Sequence, residues 1–391
     1  DVYKRQSKKI MRVLALGGSG GMGRFSSFAI SSNSKITKVT IADLNESSAK
    51  EFARNFDERF SGIGIDVSDK EKLERLMQNH DIVLNTTGPF FKLGVSILKS
   101  AINCKCHYLD ICDDWEPTLE MLNLNDAALK NGVTAIIGLG ASPGISNLLG
   151  LKAMKELDSV SSIITGWDIS SAKPEDESSQ SGTNAAMEHG LQQVTGEIKI
   201  FKEKKFKNTK PLEKISINYP GRGNFNVYLF GHPEAITFPY HYKDIKESFN
   251  VCHGANESNI YIIKILRWFV DNKVISFKSG ALFLEWLERN LGTTPSIEKQ
   301  TKGLPAIYGL AQGTKNQKAA TVAVTLSKEE LINPWGMGAI TGFPLAFGLE
   351  LFLENKINQK GVFAPEGAIE PDEFFSLLTD HPLEISRSWE C

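Results

Sequence analysis

Val13-Leu14-Ala15-Leu16-Gly17-Gly18-Ser19-Gly20-Gly21-Met22-Gly23 is the stretch that decides the fold. An apolar run of strand character enters Gly18-x-Gly20-x-x-Gly23, and a helical pattern starts near Met22. A strand–turn–helix of this kind holds a pyrophosphate. The tight turn is assigned to Gly18, Gly20 lets backbone amides approach phosphate oxygens, and Gly23 permits close helix–strand packing. Ser19, Gly21 and Met22 complete the loop. Asp43 ends the next strand-like run 20 residues after Gly23, where an acidic side chain accepts hydrogen bonds from ribose hydroxyls. Leu44 and Asn45 follow it, with no adjacent arginine to receive a 2′-phosphate. The cofactor expected is therefore NAD or NADP, with NAD favoured unless Lys50 and Arg54 fold back.

Outward from this loop, residues 11–137 alternate short apolar runs with amphipathic segments, the pattern of a parallel sheet covered by helices. Strands are predicted at Arg12–Leu16, Lys38–Ala42, Gly62–Ile65, Asp81–Asn85, Tyr108–Asp110 and Val133–Ile137, with helices from near Met22, Glu46, Lys70, Leu93 and Glu116. Asn45 and Asp69 fit as helix N-caps. After about Val160 the pattern changes to strands separated by hairpin-sized polar turns, at Ser162–Asp168, Glu197–Phe201, Lys214–Tyr219, Asn226–Leu229, Ala235–Phe238 and Ala319–Leu326. Helices are expected at Ala185–Val194, Asn259–Val270, Ala281–Asn290 and Met337–Glu354, and a short one after Pro371. The fold class is α/β: a doubly wound parallel Rossmann sheet with an inserted α+β domain on a mostly antiparallel sheet. The expected organisation is a dinucleotide-binding domain over 11–145, a substrate domain over 146–332, and C-terminal helices over 333–391 returning to the first domain. Ser170–Ser181 reads as a polar loop.

Composition excludes several classes. With 391 residues, 41% apolar and 23% charged, the chain has the makeup of a two-domain globular protein. A net charge of −2 gives no basic field for nucleic acid or an anionic membrane. The Lys199–Lys210 stretch reads as a solvated hairpin. Gly132–Leu151 and Asn333–Leu349 lack charge, but glycines, prolines and polar residues interrupt both, so neither reads as a membrane span. The five cysteines, an odd number, are expected as free thiols in a reducing compartment, the cytoplasm. Cys104, Cys106, His107 and Cys112 lack the spacing of a zinc site, and no metal is expected. Cys112 has no evident histidine partner for a thiol nucleophile. Residues 1–10 are polar and patternless.

A carboxyl-edge loop after the fourth strand, Asn85-Thr86-Thr87-Gly88-Pro89-Phe90, faces a bound cofactor in such sheets. Asn85, Thr86 and Gly88 are candidates for the ribose–nicotinamide half, with Pro89 walling the nicotinamide. Asp110 ends the fifth strand at the same edge and is a candidate proton acceptor or ammonium ligand. Asp113 and Asp114 read as caps of the following helix. In the second domain, Arg222 lies between glycines and is a candidate carboxylate ligand. His232, near Glu234, is a candidate acid/base.

The glycine loop, the Asn85–Phe90 loop, Tyr108-Leu109-Asp110 and Gly140-Ala141-Ser142-Pro143-Gly144-Ile145-Ser146-Asn147 stand in the order and spacing of the saccharopine dehydrogenase family. The ending is similar too, in Thr341-Gly342-Phe343-Pro344-Leu345-Ala346, Gly361-Val362-Phe363-Ala364-Pro365-Glu366 and Pro371-Asp372-Glu373-Phe374-Phe375. The chain resembles the saccharopine reductase-like branch from Met11 onward. The resemblance implies hydride exchange between NAD(P) and a secondary amine or imine of an amino-acid-derived small molecule, and a returning helix that brings Trp335 and Thr341 near the cleft. It departs at Ser142, where that branch's enzyme usually carries Asp before Pro-Gly, which removes a carboxylate of that enzyme's site. A dinucleotide sensor without turnover and a carbonyl or enoyl reductase are the competing readings. No nucleic-acid or membrane partner is expected, and a homodimer is left open.

Overall fold

The computed structural model describes residues 11–171, 185–291, 303–327, 336–378 and 382–389. Residues 1–10, Trp335 and most of the Ser170–Ser181 loop lie outside them. The chain forms two compact units. The first takes residues up to Cys112, Pro117–Gly140 and Thr341–Ile369; the second takes Asp113–Glu116, Ala141–Ile340 and Glu370–Cys391.

In the first unit, β1 (Met11–Leu16), β2 (Ile36–Asp43), β3 (Phe60–Gly64), β4 (Ile82–Asn85), β5 (His107–Asp110) and β6 (Thr134–Ile136) stand in the spatial order 3-2-1-4-5-6. Strand Gly361–Phe363 extends the sheet beyond β6, and every pairing is parallel. This is the doubly wound arrangement that the alternating pattern predicts. Val13 to Leu16 and all of β4 are buried, which explains their unbroken apolar runs, since helices cover both faces of a parallel sheet. Asn45 accepts from Ser48 N and Asp69 from Lys72 N, capping the helices Glu46–Ala53 and Lys70–Met77. Such caps contribute about 1 kcal/mol each.

The second unit carries a mixed sheet: β7 (Ser159–Asp168), β8 (Ile198–Lys202), β9 (Lys205–Thr209), β10 (Lys214–Tyr219), β11 (Gly223–Phe230), β12 (Glu247–His253), β13 (Ile307–Lys315) and β14 (Lys318–Leu326). Its path runs β10-β11-β12-β7-β13-β14 to a last strand, Leu383–Trp389, with β8 on β12 and β9. Among the described strands of this sheet, only β12 and β7 pair in parallel. The lysine-rich stretch is the β8–β9 hairpin, with Phe201 and Phe206 in ring contact at 5.1 Å.

Three sequence expectations are corrected. Ala235–Phe238 belongs to a helix, Glu234–His241, buried from Glu234 through Pro239; a helix with no polar face shows no helical period. β13 was masked by its glycines. A Cβ at Gly309 would meet Gly150 N at 2.1 Å, so helix Ile145–Lys155 needs that position bare to lie on the sheet. Finally, the segment 333–391 divides: Thr341–Ile369 joins the first unit, while Glu370–Cys391 joins the second, where Leu383–Trp389 pairs with β14. Helix Gly336–Leu353 is apolar and mostly buried. A Cβ at its Gly342 would lie 2.4 Å from Met22 O, so its Thr341–Leu353 part sits directly on the start of the first helix.

Candidate active site

The first unit's site is the loop between β1 and helix Gly23–Ile30. That helix begins at Met22 with no side-chain cap and no acidic residue in its first turn, leaving N-terminal amide dipole for an anion. The left-handed residue of the turn is Gly17, at φ 69°, and not Gly18. Gly18 is tight for a different reason: a Cβ there would meet Ala15 Cβ and O at 2.9 Å. At Gly23 a Cβ would lie 2.1 Å from Gly17 O and 2.6 Å from Thr86 Oγ1. Over Gly21 a Cβ would meet nothing, and Gly20 and Gly21 are exposed. Asp43 turns toward the loop, its Oδ2 accepting from Ser19 Oγ at 2.7 Å. A bare, open amide cradle with a carboxylate at its rim fits a dinucleotide. Lys50 is held by Glu46 at 2.5 Å.

The loop after β4 divides by role. Gly88 and Pro89 are exposed. Thr86 Oγ1 donates to Leu16 O and Gly17 O, both at 3.0 Å, and so fastens the glycine turn from beneath. Asn85 is fully buried; its Nδ2 donates to Tyr108 Oη at 2.9 Å and its Oδ1 accepts from Thr87 N at 3.0 Å. Tyr108 Oη donates in turn to Asp110 Oδ2 at 2.8 Å, while Asp110 Oδ1 accepts from Cys112 N at 3.0 Å and Gly138 N at 2.7 Å.

Asp110 is therefore a fully buried staple across the carboxyl ends of β4, β5 and β6, and the expectation of an accessible proton acceptor is corrected: a carboxylate closed in by three donors has no face for substrate. Asp110→Ala strands those donors and is expected to lower unfolding free energy by about 3 kcal/mol or more. Denaturant unfolding checks this; an unchanged midpoint with lost turnover would restore the chemical role. The cysteine cluster also disperses, since Cys104 Sγ and Cys106 Sγ meet separate backbone carbonyls, of Glu74 and His80.

The second unit gathers two linked clusters. In the first, Ser142 Oγ and Ser146 Oγ each donate to Glu234 Oε1 at 2.6 Å, and Asn250 Nδ2 donates to it at 3.0 Å. Glu234 is wholly buried, and its Oε2 has no hydrogen-bond partner among the described residues; burial raises its pKa. Ser142 Oγ also lies 3.2 Å from His232 Nδ1. Since the single hydroxyl proton goes to Glu234, His232 Nδ1 is the donor and Nε2 carries the lone pair. Trp167 stacks on this ring at 5.2 Å and 7°. Burial, helped by the nearby charge of His189, pushes His232 down to about 3, so it is neutral across the physiological range.

In the second cluster, His189 Nε2 lies 3.0 Å from Asp114 Oδ1 and 3.6 Å from Asp113 Oδ1, while Gln193 Nε2 donates to Asp113 Oδ2 at 3.1 Å. The adjacent carboxylates, Asp113 foremost, lift His189 to about 9. Two histidines near enough to feel each other's charge thus hold opposite protonation states. Sequence reading missed His189, Asp113, Asp114 and Ser142 as a group; the only signal was the Asp-Asp pair and the departure at Ser142, because the contacts join distant segments.

Arg222 is not with them. It donates to Gly303 O at 2.7 Å, reaches Glu384 at 3.4 Å, and lies over Tyr219 at 5.6 Å. The expectation of a free carboxylate ligand is corrected, because its fork is spent tying the β10–β11 turn to the Gly303 segment and the last strand.

The profile of the saccharopine dehydrogenase NADP-binding domain matches residues 13–136, and the first unit is a dinucleotide-binding domain of the NAD(P) type. Carboxynorspermidine synthase of Vibrio cholerae is 22% identical, with 97% of this chain and 96% of the relative aligned. The NADP(+), L-glutamate-forming saccharopine dehydrogenase of Schizosaccharomyces pombe is 26% identical over 32% of this chain and 27% of its own length. In structure, apo saccharopine dehydrogenase (L-Glu forming) from Saccharomyces cerevisiae is similar with a TM-score of 0.60 at 17% identity, covering 97% of this chain and all of that one. Residues 13–136 thus carry a saccharopine dehydrogenase-type NADP-binding domain, and the chain as a whole is similar in fold to saccharopine dehydrogenase.

Proposed function

We propose that this protein exchanges hydride between NAD(P) and the CH–NH group of an amino-acid-derived secondary amine or imine. The observation that carries the reading is His189, held 3.0 Å from Asp114 Oδ1 and 3.6 Å from Asp113 Oδ1 and raised to about 9, a protonated donor at neutral pH beside the cluster of the neutral His232. Gly18, Ser19, Gly20, Gly21, Met22, Gly23 and Asp43, with the exposed Gly88 and Pro89, would hold the dinucleotide. When bound, it supplies or takes the hydride.

The remaining work belongs to protons. An imine nitrogen must be protonated before its carbon accepts hydride, and the His189 imidazolium is a donor suited to that step. In the reverse direction an amine must lose a proton before hydride leaves, and His189, neutral once pH rises through about 9, is the acceptor, since burial leaves His232 too weak a base for that step. Asn85, Thr86 and Asp110 act as positioning residues beneath the cofactor loops. The names of the full-length relatives and of the partial ones both denote N-substituted amino acids, in keeping with this substrate class.

The test is a panel of primary amines, each paired with a 2-oxo acid or an amino-acid semialdehyde, with NADPH and NADH, following the loss of reduced-nicotinamide absorbance. Consumption that requires both the amine and the carbonyl partner is expected. Consumption with carbonyl alone would transfer the protein to the carbonyl reductases. Tight nucleotide binding without turnover on the whole panel would favour a sensor.

A further inference from the structure

Asp43 ends β2 beside the glycine turn. Its Oδ2 accepts from Ser19 Oγ at 2.7 Å and its Oδ1 from Asn45 N at 3.4 Å, so the carboxylate is pinned at the rim of that turn. An Asp so placed takes the adenosine ribose hydroxyls of NAD, whereas the 2′-phosphate of NADP needs a cation there. A phosphate monoester brings a charge of about −2. The surroundings add to the repulsion. Asp43 pairs with Gly64 of β3, and a Cβ at Gly64 would lie 3.1 Å from Glu46 Oε2. Two carboxylates, of Asp43 and Glu46, therefore flank this corner of the sheet.

The basic side chains of the neighbouring segments are placed elsewhere. Lys50 lies 2.5 Å from Glu46 Oε1, which cancels one of the two negative charges and leaves no surplus. Helix Glu46–Ala53 runs back along the sheet and carries Arg54 about 12 Å from its start. There Arg54 lines a surface cleft with Phe56, Asp57 and Phe60, at the opposite edge of the sheet. Lys70 and Lys72, on the helix after β3, lie 3.7 and 2.8 Å from Glu74 and Asp69. Arg24 lies over the Phe25 ring at 5.3 Å. That ring meets Phe343 of the returning helix, whose Gly348 packs against Leu109 of β5, away from β2. Directly after Asp43, Leu44 is 77% exposed and Asn45 is spent capping the next helix. We propose that this chain is specific for NAD(H), in departure from the NADP of the domain profile that it matches, and that Asp43 with Glu46 sets the preference. The proposal rests on the first unit being the nucleotide site.

The test is nucleotide binding by the whole protein, followed by the fluorescence of reduced nicotinamide and by isothermal titration calorimetry, with no turnover needed. NADH is expected to bind at least about 30-fold more tightly than NADPH, the size of a lost hydrogen bond to a charged group. Asp43→Ser with Leu44→Arg is expected to invert the order, because the arginine fork suits a phosphate. Should that pair misfold, Asp43→Asn is read instead. It keeps the shape, removes the charge, and should shrink the ratio by about tenfold. Gly23→Ala should weaken both nucleotides alike, since they share the pyrophosphate. Wild-type protein that binds NADPH as tightly as NADH, or more tightly, overturns the proposal while leaving the nucleotide site in place. Binding of neither removes the site itself, and the proposal with it.

Discussion

Gly23→Ala is expected to abolish dinucleotide binding while leaving most of the fold intact. The added methyl would sit 2.1 Å from Gly17 O and 2.6 Å from Thr86 Oγ1, and neither atom can yield alone. Gly17 is the left-handed residue of the turn, and Thr86 Oγ1 is engaged with two carbonyls of the same turn. Overpacking of this kind costs about 1–3 kcal/mol, and here it is relieved only by lifting the loop away from the helix N-terminus. The NADPH dissociation constant should rise by about 100-fold or more, measured by the fluorescence of reduced nicotinamide, with a fall of only a few degrees in Tm. Gly21→Ala, where a Cβ meets nothing within 4 Å, is the matched control and should keep both fold and most of the affinity. Equal losses in the two variants would show that the pyrophosphate does not rest on this turn.

His189→Gln should have the largest effect on turnover, lowering kcat about 10²–10⁴-fold, the usual contribution of a positioned acid. The pH profile distinguishes chemistry from packing. His189 is raised from 6.5 to about 9 by Asp113 and Asp114, so its proton is in place at neutral pH and lost as pH rises through about 9. Reductive turnover in the wild type should fall on that alkaline limb, and the limb should vanish in the Gln variant. Stability follows the same sign. A group whose folded pKa is raised stabilises the fold fully below its unfolded value near 6.5, and that stabilisation disappears as pH climbs through about 9. A wild-type profile flat through pH 9 would remove His189 from the reaction.

The nucleotide half of the molecule was legible because its signals are local. A glycine loop after an apolar strand, an acidic residue at the next strand end and two helix caps each follow from neighbours in sequence. Even there the adjacent glycines hid which one makes the turn, since Gly17 and Gly18 differ only in backbone geometry. The second unit was legible as strands and hairpins, but its chemistry was not. His189 carries no motif, and its character comes from Asp113 and Asp114, more than 70 residues earlier. Asp110 and Arg222 have the right chemistry for a site, yet packing consumes them, and whether a polar side chain is already satisfied cannot be read from its type.

The alternation of the chain between its two units also has a consequence for biogenesis. During synthesis β6 stays an open edge until Gly361–Phe363 emerges, and β14 until Leu383–Trp389 does. No described strand made earlier pairs on those sides, so the nascent polypeptide carries β6 and β14 each with one unpaired side until those later segments are made. Exposed edges recruit other strands, and shielding by chaperones should matter most in that interval.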